Sequence, residues 1–333
     1  MRIVAIYVRA ILMSSLVSVC VAGQTRTEWV DPSPHTLRFV RVDPDVSIEI
    51  LDWGGTGPAM VLLAQLGQTA HIYDDWAPRL ARAYRVLGIT RRGYGESSAP
   101  PTGYSMERLA TDIVTVLDVE SLQNPFLVGN GFAGEEMSWI ASRFQRRTAG
   151  LIYLDAAYDR TNAGSEGAIA RRIPPRPPGP RDLESAESMT RWVSGGIGFP
   201  IPEAEIRQMV QFVPDGRVAG ERTPGTVRQA IVAGIVKADY SNIRVPALAI
   251  YARPVSADAF PGCRGTDDAA VRQACSELYA WALRHLSDGE RLFRTIPSRV
   301  QVIDLPGANP FVFLSNEREV TQALDQFVSA VAR

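Results

Sequence analysis

Short apolar runs of β type alternate along the chain with longer stretches whose apolar residues recur at helical spacing. That alternation predicts an α/β fold, a mainly parallel sheet covered by helices on both faces. Val46–Leu51 and Met60–Ala64 are expected as early strands, separated by the turn-rich break Gly54-Gly55-Thr56-Gly57-Pro58. Val86–Thr90, Phe126–Val128 and Leu151–Leu154 are expected as central strands. Pro246–Tyr251 resumes the sheet, and Val300–Leu305 supplies its last strand. Between these two groups the pattern fails. Arg172-Ile173-Pro174-Pro175-Arg176-Pro177-Pro178-Gly179-Pro180 cannot lie inside a helix or sheet, because proline lacks the N–H and its ring blocks the preceding turn. Helical patterns follow at Glu203–Phe212 and Thr226–Val236. The expected organisation is a core over 23–158, a helical lid insertion over 159–243, and the rest of the core over 244–333.

The N-terminus reads differently. Arg2 and Arg9 precede an apolar run from Ala10 to Ala22, and the chain turns polar at Gln24, Thr25 and Arg26. This predicts a secretory signal over 1–22, cleaved after Ala22 or Gly23, since a spanning helix needs about 20 apolar residues. A lipid on Cys20 is the alternative, opposed by the bulk of Val19. The expectation is export to the periplasm or the extracellular space, with no stable membrane anchor once the signal is gone. Its removal leaves Cys263 and Cys275, an even pair for which a bridge is expected in an oxidising compartment. With 35 basic and 36 acidic residues there is no long-range field to draw in nucleic acid. A small-molecule ligand is the expected partner.

Six segments carry a resemblance: Leu51-Asp52-Trp53-Gly54-Gly55, Leu62-Leu63-Ala64-Gln65-Leu66-Gly67, Thr90 to Ser98, Leu127 to Gly134, Leu154 to Tyr158, and Leu305 to Phe313. In order and spacing the chain resembles the α/β-hydrolase superfamily, of the lidded esterase and lipase kind, everywhere except the lid. The resemblance implies a nucleophile on a sharp strand-to-helix turn, a G-x-S-x-G-like elbow. Gly131 stands there. It also implies a histidine base after the last strand, where Pro310 stands. Glycine has no side chain to attack a carbonyl and proline no group to take a proton, so the triad is degenerate and a pseudoenzyme is expected.

Asp155, at the end of the strand after the elbow helix, is the candidate acid; the other reading is a strand-end carboxylate accepting backbone or arginine hydrogen bonds. By resemblance the backbone N–H groups of Leu66 and Phe132 would be the oxyanion donors. His71 either borders the pocket or caps and packs, while His35 and His285 are expected far from the elbow. No cluster of His, Cys or carboxylates has metal-ligand spacing, so neither metal nor cofactor is expected. The rival motif is Gly129-x-Gly131-x-x-Gly134, a dinucleotide fingerprint opposed by Glu135 and Glu136 beside it. The functional expectation is a lidded pocket for a small apolar or ester-like ligand. Its alternative is an atypical hydrolase or cofactor-free lyase working through Asp155 and His71.

Overall fold

Strands buried at every position need cover on both faces, and the middle of this chain supplies them. The computed structural model describes residues 29–332, apart from the side chains of 162–165. The expected signal over 1–22 and its cleavage points lie outside the described residues. From Ser33 onward the chain forms one unit. Its strands are β1 (Thr36–Asp43), β2 (Val46–Gly54), β3 (Ala59–Leu63), β4 (Arg85–Ile89), β5 (Phe126–Asn130), β6 (Gly150–Leu154), β7 (Val210–Phe212), β8 (Val218–Glu221), β9 (Ala247–Arg253) and β10 (Val300–Pro306). The helices are α1 (Ala77–Leu80), α2 (Met106–Val119), α3 (Ala133–Arg143), α4 (Ala163–Ala170), α5 (Ala186–Ile197), α6 (Glu203–Met209), α7 (Gly225–Ala233), α8 (Ala269–Phe293), α9 (Val312–Ser315) and α10 (Glu317–Val331).

The main sheet has eight strands in the order β1-β2-β4-β3-β5-β6-β9-β10. β2 runs antiparallel to β1 and β4, and every later pairing is parallel. This is the α/β-hydrolase fold that the strand pattern and the resemblance led us to expect. One face packs on α2, α3 and the C-terminal part of α8 through residues such as Ile113, Met137 and Phe293. The other packs on α1, α9 and α10 through Leu80, Phe313 and Leu324. Burying these side chains contributes roughly 1.5–3 kcal/mol each before conformational entropy is set against it.

Departures from expectation have local causes. The helix expected over Glu203–Phe212 stops at Met209, because Val210–Phe212 pairs with Val218–Glu221. The helix expected over Thr226–Val236 is Gly225–Ala233, with Gly234 at its C-cap. β1 was not foreseen; it is an edge strand with one buried residue and no continuous apolar run. Between β6 and β9 the chain adds α4 to α7 and the β7–β8 hairpin but no strand of the main sheet. α6 from this segment reaches the core, where the buried Glu205 accepts from the Thr69 backbone N–H (3.1 Å) and hydroxyl (2.5 Å).

Candidate functional site

Register brings the candidate residues together. In the parallel pair of β3 and β5, Leu63 lies opposite Gly129, so two residues further on Gln65 arrives beside Gly131. In the pair of β5 and β6, Asn130 lies opposite Leu154, so Asp155 follows on the other side. Gly131 has φ of 56°, the left-handed conformation that side chains resist at a cost of about 1–3 kcal/mol. It makes the sharp turn from β5 into α3, and Phe132 follows as the N-cap.

At this turn Gln65 takes the room. A Cβ added to Gly131 would lie 2.7 Å from the Cβ of Gln65 and closer still to its Oε1. The Gln65 backbone is itself fixed, because the buried Arg91 donates to the carbonyls of Ala64 (3.0 Å) and Gln65 (3.4 Å). Arg91 is held in turn by a two-bond ion pair with Glu136 at 2.6 and 2.7 Å. Leu66 and Phe132 pack with Tyr94, Tyr104 and Val227 in a separate apolar cluster, and the Arg91 guanidinium lies 4.9 Å from the centre of the Phe132 ring.

The glycine motif has packing reasons of its own. A Cβ at Gly134 would collide with the carbonyl oxygen of Ala156, so glycine lets α3 lie close to the turn after β6. Gly129 faces the Met137 sulfur in the same way. Glu135 and Glu136 are both buried in the first turn of α3, and burial pushes the Glu135 carboxyl up to about 7.

A cavity of about 690 Å³ opens beyond Gln65, which lines it together with Asp155 and Pro310. Gly131, Leu66 and Phe132 do not line it. Asp155 has φ of 49°, an uncommon value for a residue other than glycine. Its Oδ1 accepts from the Tyr158 hydroxyl (2.6 Å) and the Ala252 N–H (3.1 Å), and burial pushes its carboxyl up to about 6. Pro310 contributes structure rather than a base: its carbonyl accepts from Asn130 Nδ2 at 2.9 Å, which ties the loop after β10 to the end of β5. Asn309 donates from Nδ2 to the Ile197 carbonyl of α5 at 3.2 Å. Phe199, Phe260 and Phe311 supply apolar wall, and Arg160, Glu166 and Arg264 supply charge.

One histidine departs from expectation, and another takes the second of its two expected readings. His285, expected far from the elbow, lines the cavity, because α8 runs back along it. Its ring is stacked between Tyr158 and Trp281, with centroids 4.6 Å away on each side. Burial pushes its imidazole down to about 4, helped by the charge of Arg160. His71 does not line the cavity. It lies in a buried polar cluster, its Nδ1 2.8 Å from Asp74 Oδ2 and its Nε2 3.1 Å from Glu49 Oε1. His35 joins them, its Nδ1 3.0 Å from Asp74 Oδ1. The absence of ligand spacing in the sequence therefore concealed a His35–His71–Asp74 cluster. Gln65, Tyr158, Trp281 and His285 were all missed as site residues. The four-residue spacing of Trp281 and His285 on one helical face was the available signal.

Comparison with known proteins agrees with this architecture. The family model described as alpha/beta hydrolase fold matches residues 58–187. Bifunctional epoxide hydrolase 2 of Sus scrofa is 31% identical over 135 residues, 40% of this chain and 24% of that protein. The chain thus spans about a quarter of that relative. The 3-oxoadipate enol-lactonase 2 of Acinetobacter baylyi is 23% identical over 207 residues, 62% of this chain and 75% of that one. The crystal structure of E-2-(acetamidomethylene)succinate hydrolase superposes with a TM-score of 0.63 at 16% identity, covering 89% of this chain and 99% of that chain. A thermophilic esterase from Thermogutta terrifontis gives 0.58 at 18% identity, with 89% and 98% covered.

Proposed function

We propose, from an α/β-hydrolase fold whose family model matches residues 58–187, that this chain binds a small ligand in the cavity beyond Gln65 without forming a covalent intermediate. One observation carries the reading: the space where a nucleophile at position 131 would project is filled by Gln65, while a cavity of about 690 Å³ persists next to it. A retained pocket with a blocked elbow favours binding over acyl transfer.

The lining suggests the ligand class. Phe199, Phe260, Phe311 and Trp281 suit an apolar or aromatic body. Asp155, Arg160 and Asn309 suit one polar group, of the ester, lactone or amide kind. An exported protein is part of the proposal; the N-terminal pattern supports it, as does the Cys263–Cys275 disulfide, a bond at home in oxidising compartments.

The test is calorimetric titration of the protein with aryl and alkyl esters and lactones, beside a His285→Ala variant. Saturable one-to-one binding that weakens when the stacked ring is removed supports the reading. Binding unaffected by His285→Ala would place the ligand elsewhere and refute it.

A second reading has its own observation, since Asp155 and His285 both line the cavity with Tyr158 between them. Proton transfer through this trio would show as saturable turnover of an ester or lactone, abolished by Asp155→Asn. His71 no longer belongs in it.

A further inference from the structure

We propose that His35, His71 and Asp74 bind one divalent transition-metal ion, with Zn(II) the best match, and that Glu49 orients His71 for it. The site is separate from the cavity, and no step of the proposed ligand binding uses it.

The donor set comes first. Two imidazole nitrogens and a carboxylate oxygen converge, their ligand atoms all within 4.8 Å of one another. Imidazole and carboxylate together suit Zn(II) and its first-row neighbours. Around a tetrahedral zinc with bonds of roughly 2.0–2.1 Å, neighbouring ligand atoms stand about 3.3 Å apart. Here both Nδ1 atoms already face Asp74 oxygens at 3.0 and 2.8 Å, so a small outward shift would admit an ion.

Proton bookkeeping supplies the second reason. A neutral imidazole carries one N–H, yet both ring nitrogens of His71 face carboxylate oxygens, Asp74 on one side and Glu49 on the other. With a metal on Nδ1, the one proton belongs on Nε2, where it is donated to Glu49. That gives both His71 nitrogens a favourable role and makes the carboxylate–histidine–metal arrangement that fixes a ligand's tautomer.

Surroundings are the third reason. The side chains of His35, His71, Asp74 and Glu49 are 7%, 4%, 3% and 0% exposed, so water does little to screen the two carboxylates. Glu205 adds a third buried acid group nearby, held by the Thr69 N–H and hydroxyl. A divalent cation offsets that concentration of acid groups. The ligands come from two segments, His35 just before β1 and the 3₁₀ turn Ala70–Tyr73 with its C-cap Asp74. Binding should therefore pin the first to the second.

The full chain, untagged and purified without chelator, is assayed for metal by mass spectrometry, stripped, and titrated with Zn(II) by calorimetry while thermal stability is followed. The expected result is one equivalent per chain and a Tm that rises with Zn(II). Glu49→Gln should retain the stoichiometry and weaken binding roughly 10–100-fold. The double variant His35→Gln, His71→Gln should lose the site. If that variant does not fold, Co(II) added to the stripped wild-type protein decides, through saturable visible absorption of nitrogen and oxygen coordination. A stripped wild-type protein that shows neither saturable heat nor a Tm shift would overturn the proposal, as would a double variant that still binds one equivalent.

Discussion

The side chain of Gln65 stands where a side chain on Gly131 would have to go, its Cβ 2.7 Å from the Cβ that position 131 lacks. The two positions are therefore coupled, because any side chain at 131 needs the room that Gln65 takes. Gly131→Ser should destabilise the protein by about 1–3 kcal/mol from backbone strain, with steric crowding added. Adding Gln65→Gly should recover the crowding part and leave the strain. Denaturant melts of both single variants and the double measure this; simple additivity would mean that the two side chains do not compete.

Asp155 is a carboxylate that the folded state prefers to protonate. Its carboxyl is pushed from 3.8 up to about 6 by burial, so between those values the folded chain holds a proton there that the unfolded chain releases. The cost is fully present above about pH 6 and fades as pH falls towards 4. Asn can accept the same bonds from Tyr158 and Ala252, and it tolerates a positive φ well. Asp155→Asn should accordingly stabilise the protein by about 1–3 kcal/mol at pH 8, at about 1.4 kcal/mol per pKa unit, with the gap closing by pH 4. Denaturation at several pH values checks this, and a variant less stable than wild type at pH 8 would contradict it.

Cys263 and Cys275 are bridged across 12 positions, joining the loop that carries Phe260 and Arg264 to α8, which carries Trp281 and His285. Replacing both with serine should lower stability by about 2–4 kcal/mol. Because both flanks of the bridge line the cavity, ligand affinity should fall as well. Calorimetry on wild type and the double serine variant reads the two effects separately; unchanged stability would show that the bridge constrains little.

The sheet was legible because strands such as β5 and β6, buried at every position, leave unbroken apolar runs in the sequence. The places of Gly131, Asp155 and Pro310, just after the strands β5, β6 and β10, were legible through the order of motifs around them. The cavity was not. His285 and Trp281 come from a 25-residue helix whose path back to Asp155 no local pattern encodes. Gln65 was in view only as a loop residue, and its role follows from the register of β3 against β5, which sequence periodicity leaves open. His35 and His71 belong to one cluster although they lie far apart in the chain, so ligand spacing could not reveal them.

The proposed function rests on a cavity that persists beside an elbow whose residue, Gly131, carries no nucleophile. The most direct test mixes p-nitrophenyl butyrate with micromolar protein in a stopped-flow instrument and follows p-nitrophenolate release. No burst is expected, only a slow rate that stays proportional to ester concentration. A burst of one equivalent per chain would contradict the proposed function, because that requires an acyl-enzyme on a nucleophile that the elbow does not hold.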